Sequence, residues 1–413
     1  MHYKYAHPEL FKDVPKTDFK SYSGNIVIYG AGFQGLLAAH LLKKQGVDVI
    51  CFADQNKEKQ GKTYFNLPII SPEEMGLNYS KTLIIVTPYS IKPVYEEFKN
   101  KGYNVVTPYS LFLEFDSDEF DLLDDLPGWY RKDSLDCNVD MFLLNCNNLL
   151  TNHQLFSSDL SVSQVCNLKC RECTSIMTCY QKPKHFALED VIQNLKIMMK
   201  DRYFDHIYVE GGETFLWKPL PELLQFMVEQ ERIYTIIVIT NGTIIPDEEV
   251  LNALSHPKIF VKISDYGSIS KKDKLMEIFN ERGIRYKLLL QKWYKMTEFS
   301  KEPHTPEKLK AVVENCCKLS NGVTSPYVAD GKLFCCPIQG NLHNTGIYPS
   351  EPEDYVDLTL PYDEEQKKKI EAFYQGKKIV EFCRHCDGRG YTNIEVPPAE
   401  QLQPGEEVKV IFK

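Results

Sequence analysis

Strand-length apolar runs and helical stripes alternate along this chain in two separate stretches. In the first, Asn25-Ile-Val-Ile-Tyr29 is a short apolar run that passes directly into Gly30-Ala-Gly32-Phe-Gln-Gly35. Leu36, Leu37, Leu41 and Leu42 then mark a helix that reaches Gly46. Val47-Asp-Val-Ile-Cys-Phe52, ending near Asp54, reads as a second strand, followed by Thr82-Leu-Ile-Ile-Val-Thr87 and Asn104-Val-Val106. Strand, glycine turn, helix and strand in that order predict a parallel sheet over residues 1–125. An acidic stretch from Asp116 to Asp125, then Pro127-Gly128, breaks the pattern and predicts a linker over 126–153.

The second stretch starts near Gln154. Strand patterns at His206–Glu210, Tyr234–Thr240, Ile259–Ser264 and Tyr286–Leu290 alternate with helical patterns at Leu188–Met199, Leu220–Gln230, Glu248–Leu254 and Lys271–Arg282. This alternation predicts an α/β unit over 154–310, a parallel sheet with helices outside. In such sheets the reacting groups stand at the C-terminal ends of strands. Four polar or cysteine-bearing segments fall at those ends: the loop beginning at Cys166, Gly211-Gly212-Glu213-Thr214, Thr240-Asn241-Gly242-Thr243 and Ser264-Asp265-Tyr266-Gly267.

Composition narrows the class without deciding it. At 413 residues two or three domains are expected. The net charge of −9, with Lys and Arg scattered, provides no field to attract nucleic acid or an anionic membrane. No apolar stretch approaches the ~20 residues that span a bilayer. The polar start, Met1-His-Tyr-Lys-Tyr-Ala-His7, lacks the apolar run of a signal peptide. Thirteen cysteines in a chain read as cytoplasmic point to metal sites in a reducing compartment rather than to disulfides.

Cys166, Cys170 and Cys173 are spaced C-x3-C-x2-C. Three thiolates from one loop can hold three irons of a [4Fe–4S] cube and leave the fourth open to a ligand. A structural zinc would want four ligands in paired units, and Cys179 and His185 downstream lack that pairing. The cysteine spacing together with Gly211-Gly212-Glu213 resembles the radical S-adenosylmethionine (SAM) superfamily. Ile-Thr-Asn-Gly-Thr and Ile-Ser-Asp-Tyr-Gly extend the likeness.

That resemblance implies a partial (β/α)6 barrel and a cluster whose open iron chelates SAM. It also implies that Gly211, Gly212 and Glu213 hold the SAM amino group, and that Asn241 or Ser264 contacts its ribose or carboxylate. Asn241-Gly242 reads equally as a turn. Thr214 stands where the superfamily more often has Pro, and Glu172 where the loop often has an aromatic residue against adenine. Asp265 or Tyr266, at a strand end, is the candidate base.

A second cysteine set follows in 311–413: Cys316-Cys317, Cys335-Cys336-Pro337 and Cys383-Arg-His-Cys386. It resembles the Twitch domain, a shortened SPASM domain, in which four cysteines bind an auxiliary [4Fe–4S] cluster within a small α+β unit. The implied ligands are Cys317, Cys336, Cys383 and Cys386. Cys336 is preferred over Cys335 because a Pro after the ligand recurs in ferredoxin-type sites, whereas Cys316 competes with Cys317 on equal terms. A zinc ribbon on Cys383 and Cys386 is the other reading.

In the N-terminal stretch, Gly30, Gly32 and Gly35 permit a tight turn and close approach to phosphate, and Asp54 is placed to bind a ribose hydroxyl. This part resembles the small Rossmann-like domain of sugar acetyltransferases, which also run into a segment like Leu67-Pro-Ile-Ile-Ser-Pro-Glu-Glu74. It implies binding of a nucleotide-sugar; NAD, or a docking role without ligand, fits the same glycines.

The family likeness leaves the substrate open. Twitch enzymes acting on sugars or aminocyclitols oxidise a carbinol carbon, while SPASM-type maturases modify peptides and commonly carry a winged-helix peptide-binding domain, of which this sequence shows no sign. The sugar-nucleotide character of the first domain favours oxidation of a small-molecule sugar, nucleotide-sugar or cyclitol, with reduced flavodoxin or ferredoxin as electron donor. Epimerisation of such a sugar is the alternative reaction, and an iron–sulfur electron carrier the non-enzymatic one. A carrier has no need of an open iron.

Overall fold

A computed structural model describes residues 8–79, 81–88, 91–115, 135–151, 154–289, 293–316, 325–376, 378–388 and 394–413. The chain divides into two compact units, Met1–Gln154 and Leu155–Lys413. Among the described residues no helix is long and apolar enough to cross a membrane.

The first unit is built on β1 (Ile26–Tyr29), α1 (Phe33–Lys44), β2 (Cys51–Ala53), β3 (Thr63–Tyr64), β4 (Leu67–Ile70), α2 (Pro72–Asn78), β5 (Leu83–Val86), α3 (Ile91–Asn100), β6 (Asn104–Val106), α4 (Tyr109–Phe112) and α5 (Leu135–Thr151). The sheet order is β3-β4-β2-β1-β5-β6. All neighbours are parallel except the β3–β4 hairpin. β1 and β5 are completely buried, as continuous apolar runs in a parallel sheet should be. Helix α5 corrects the expected linker: Val139, Phe142, Leu143 and Cys146 lie in the core of this unit. The acidic stretch from Asp116 to Asp125 lies outside the described residues.

The second unit opens with β7 (Leu155–Ser163), then α6 (Leu188–Met199), β8 (Tyr203–Gly211), α7 (Leu220–Val228), β9 (Ile233–Thr240), α8 (Glu248–Leu254), β10 (Ile259–Ser264), α9 (Lys272–Arg282) and β11 (Tyr286–Leu289). Two short strands, β12 (Trp293–Tyr294) and β13 (Glu298–Phe299), lead to α10 (Pro306–Asn315). There follow β14 (Tyr327–Ala329), β15 (Lys332–Phe334), α11 (Pro337–Thr345), β16 (Val356–Asp357), α12 (Glu364–Tyr374), β17 (Glu395–Val396) and β18 (Ile411–Phe412). One sheet of eight strands runs β11-β10-β9-β8-β7-β14-β15-β16. β7 to β11 are parallel, and β14 joins them parallel to β7. The expected barrel is therefore seen among the described residues as an open parallel sheet, and the hairpin of the second cysteine set extends that same sheet.

The two faces of this sheet differ in kind. Leu160, Val162, Ile207, Val209, Ile236, Val238, Val261 and Ile263 are buried in one core with Leu195, Leu224 and Phe279 of the helices. The alternating positions carry polar side chains on β7 and β8 and a mixture on β9 and β10: the register sets Asp159 beside Tyr208, Ser161 beside Glu210 and Ile239 beside Lys262. A parallel strand covered by protein on both sides would be apolar throughout. On this more polar face Asp159, Glu210 and Ile239 line a cleft.

Candidate active site

The loop after β7 carries Cys166, Cys170 and Cys173. Cys170 is buried and the other two are half-buried. Burial pushes the Cys166 thiol up to about 11 and the Cys170 thiol up to about 12, and the neighbouring thiols of the loop add to both. Each sulfur is met by N–H donors. Leu168 N–H donates to Cys166 Sγ at 3.4 Å, and Gln401 Nε2 to Cys170 Sγ at 3.1 Å. Cys173 receives backbone bonds from Met177, Ser175 and Ile176. Donors placed around sulfur favour its charged, metal-bound form, so the set fits three thiolate ligands of a cube. Among the described residues no three His, Cys, Asp or Glu side chains converge on a single point as ligands of one ion would. Ligands of a cube bind separate irons.

The glycine pair that closes β8 lies against this loop. A Cβ on Gly211 would strike the Ser163 carbonyl oxygen, and one on Gly212 would strike the Val165 carbonyl and stand 2.9 Å from Cys166 Cβ. Glycine is required there by close approach. Both glycines line a cleft with all three cysteines, Asn241, Ser264 and Tyr266. Glu213 is buried and is not among the residues that line it. Its buried carboxylate accepts from Phe215 N–H at 3.0 Å, from the Thr240 hydroxyl at 2.7 Å and from Asn241 N–H at 2.7 Å. Burial raises its pKa and these three bonds lower it, the net direction being upward. Glu213 ties the end of β9 to the end of β8.

Asn241 does more than form a turn. Its Nδ2 donates to Asn167 Oδ1 at 3.0 Å, and its Oδ1 accepts from Thr243 N–H at 2.9 Å, joining the β9 end to the cysteine loop. Ser264 and Tyr266 face the cleft, and Tyr266 packs edge-on against Trp293 at 5.5 Å. Burial holds the Tyr266 hydroxyl well above the ordinary tyrosine range, so it stays neutral. Asp265 lies outside the cleft lining, its two oxygens each 2.7 Å from Lys272 Nζ. Of the two expected bases, Tyr266 thus reaches the cleft and Asp265 is paired with Lys272 beside it. Glu172 accepts from Met296 N–H at 2.8 Å and the Thr297 hydroxyl at 3.0 Å, which pins the segment after β12. The apolar wall that an aromatic residue there would supply comes from Leu168, Tyr266 and Trp293.

Sequence reading passed over Asp159 and Glu210, which line the cleft from β7 and β8. Their signal was the polar alternation within strands otherwise buried. It also passed over Gln401, for which no local pattern exists.

In the second cysteine set, Cys336 caps α11, its sulfur accepting from Gln339 N–H at 3.5 Å. Burial raises the Cys386 thiol strongly, with Cys336 and Cys383 adding to the shift. Gly388 N–H donates to Cys386 Sγ at 3.4 Å. Cys335 is buried against Cys336 and Cys383. Cys316 ends α10, and Cys317 lies outside the described residues. Pro337, next to Cys336, lines the cleft of the first cysteine set.

In the N-terminal unit, Gly30 takes φ +106°, where a Cβ would stand 2.7 Å from Thr87 Oγ1. A Cβ on Gly35 would collide with the Gly30 carbonyl, whereas Gly32 faces open space at the N-terminus of α1. Asp54 departs from its expected ribose role: Oδ2 accepts from Ala31 N–H at 2.7 Å and pairs with Lys59 at 3.3 Å, holding the glycine turn.

Residues 160–328 match the radical SAM superfamily model, and residues 22–106 match the model for C2185-like proteins, N-terminal. No curated protein matches significantly. Among solved structures, BtrN in complex with AdoMet and 2-DOIA is similar at 14% identity over 60% of this chain and 100% of its own, with a TM-score of 0.38. SuiB of Streptococcus suis bound to S-adenosylmethionine is similar at 17% over 48% of this chain and 45% of its own, TM-score 0.27. UDP-D-quinovosamine 4-dehydrogenase from Vibrio fischeri is similar at 24% over 21% of this chain and 78% of its own, TM-score 0.18. The matched span 160–328 holds the three cysteines, the glycine pair and the C-terminal ends of the five strands that reach the cleft, and the chain thus carries a domain of the radical SAM enzyme superfamily.

Proposed function

We propose that the chain binds SAM on a [4Fe–4S] cluster held by Cys166, Cys170 and Cys173, and oxidises a carbinol carbon of a sugar, nucleotide-sugar or cyclitol to the ketone, in glycan or polysaccharide biosynthesis. An auxiliary cluster on Cys317, Cys336, Cys383 and Cys386 belongs to the same reading. The observation that carries it is one cleft lined both by the three loop cysteines and by Pro337, the neighbour of Cys336. When bound, SAM and the two clusters supply a 5′-deoxyadenosyl radical for hydrogen removal and an acceptor for the second electron.

The residues have distinct tasks. Gly211 and Gly212 would hold the SAM ammonium group, Asn241 and Ser264 would bond its ribose or carboxylate, and Leu168, Tyr266 and Trp293 would exclude water around adenine. A carbinol also gives up its hydroxyl proton, and Asp159 or Glu210, on the polar face, receives it. Epimerisation needs a thiol hydrogen donor instead. Among the described residues the cleft has no cysteine besides the three of the loop, which favours oxidation.

The Rossmann-like unit serves in this reading as a nucleotide-sugar site at Gly30, Gly32 and Gly35. The open space at Gly32, on a helix start with no side-chain cap, supports it. A nucleotide-sugar that binds only the folded protein raises its thermal midpoint. Gly32→Asp, which sets a carboxylate against phosphate, is expected to remove the shift; no shift with any nucleotide-sugar or NAD leaves a docking role. For the reaction, product mass decides. Loss of two hydrogens from a sugar or cyclitol supports oxidation, unchanged mass with one solvent deuterium supports epimerisation, and turnover of peptides alone overturns both.

A further inference from the structure

The donor to Cys170 sulfur comes from Gln401, 231 positions along the chain. Its amide is oriented by partners that cannot exchange roles. Lys169 N–H donates to Oε1 at 2.8 Å, and Nε2 donates to the Ala399 carbonyl at 2.7 Å. A backbone N–H only donates and a carbonyl only accepts, so the NH2 group must face Cys170.

The surrounding backbone holds this arrangement. Cys170 and Gln401 form an antiparallel bridge. Arg171 N–H donates to the Glu400 carbonyl and Leu402 N–H to the Lys169 carbonyl, each at 2.8 Å. Arg171 also pairs with Glu400 at 3.1 Å and Glu406 at 2.7 Å. Ala399, 1% exposed, takes φ 55°, a left-handed conformation uncommon for a residue with a Cβ. It packs with Cys170 and Trp293.

We propose that Gln401 tunes the SAM-binding cluster: its N–H, donated to Cys170 sulfur, stabilises the reduced and more negative cluster and raises its reduction potential. Hydrogen bonds to cluster sulfurs act in this direction, more strongly as the sulfur gains charge. The inference rests on the assignment of Cys166, Cys170 and Cys173 as cluster ligands. Its consequence is practical, since a flavodoxin-level donor must be able to reduce the site.

The test is a redox titration of the full chain, following the paramagnetic signal that responds to SAM. Gln401→Glu keeps the shape and the bond from Lys169 but replaces the donor with a negative oxygen; Gln401→Met removes the donor without adding charge. At the wild-type midpoint the reduced-to-oxidised ratio in Gln401→Glu is expected to fall about tenfold, which is about 59 mV for a one-electron couple, with Gln401→Met shifted in the same direction by less. Should Gln401→Glu lose iron, Gln401→Met decides. Wild-type potentials in iron-replete variants, or loss of the cluster in both, overturn the tuning role. A wild-type protein with no SAM-responsive signal instead overturns the cluster assignment.

Discussion

The carboxylate of Asp265 is held by Lys272, whose ammonium nitrogen lies 2.7 Å from each of its oxygens. The pair fixes the turn after β10, where Asp265 Oδ1 also accepts from Gly267 N–H at 3.1 Å. A carboxylate so occupied is a structural clamp. Asp265→Asn is expected to lower stability by about 1–3 kcal/mol and to leave reductive SAM cleavage in place. Denaturant unfolding and the yield of 5′-deoxyadenosine measure the two effects, and abolished cleavage in a stable variant would return Asp265 to the chemistry.

Tyr266 is expected to act through its ring and a neutral hydroxyl. Its pKa is raised by burial, with the three loop thiols adding to the rise, so the phenol remains protonated to beyond the ordinary tyrosine value. Tyr266→Phe should keep the shape of the pH–rate profile from neutral pH upward to that value. Loss of an alkaline limb in the variant would show a titrating phenol instead.

The glycine pair makes a sharper structural prediction. Gly212→Ala must push apart the Val165 carbonyl and Cys166 Cβ, both fixed by the loop, and is expected to cost about 1–3 kcal/mol with loss of iron from the first cluster. Gly32→Ala meets nothing within 4 Å and should leave stability near wild type. Iron content and thermal midpoint of the two variants, taken together, check the contrast.

Iron loading should depend on pH. The Cys166 and Cys170 thiols, pushed up to about 11 and about 12, are protonated in the iron-free protein at neutral pH. Both must lose their protons to ligate, so each unit of pH rise below those values increases each thiolate fraction about tenfold. Reconstitution is expected to run faster at about pH 8 than at about pH 7. Equal rates would mean that these thiols do not limit loading.

These sites show what is legible in the chain. Element type and order follow from periodicity because strands β9 and β10 and helices α6 and α8 are apolar on the faces they bury. β7 was less legible: Leu-Phe-Ser-Ser-Asp-Leu-Ser-Val-Ser is wholly buried although it is largely polar, and of its residues Asp159 lines the cleft. Motif positions were legible, but the direction of a side chain was not. Glu213, Asp265 and Asp54 stand in the expected turns, yet each carboxylate is spent on bonds within the protein. Gln401 reaches Cys170 only through the tertiary fold, and α5 was masked by its acidic approach.

The central claim is that Cys166, Cys170 and Cys173 hold a SAM-cleaving cluster. Anaerobically reconstituted wild-type protein should carry about eight irons if both sites are [4Fe–4S] and release 5′-deoxyadenosine from SAM under dithionite. With Cys166, Cys170 and Cys173 all changed to Ala, about half the iron and all of the cleavage should be lost. Cleavage that persists in the triple variant would contradict the account.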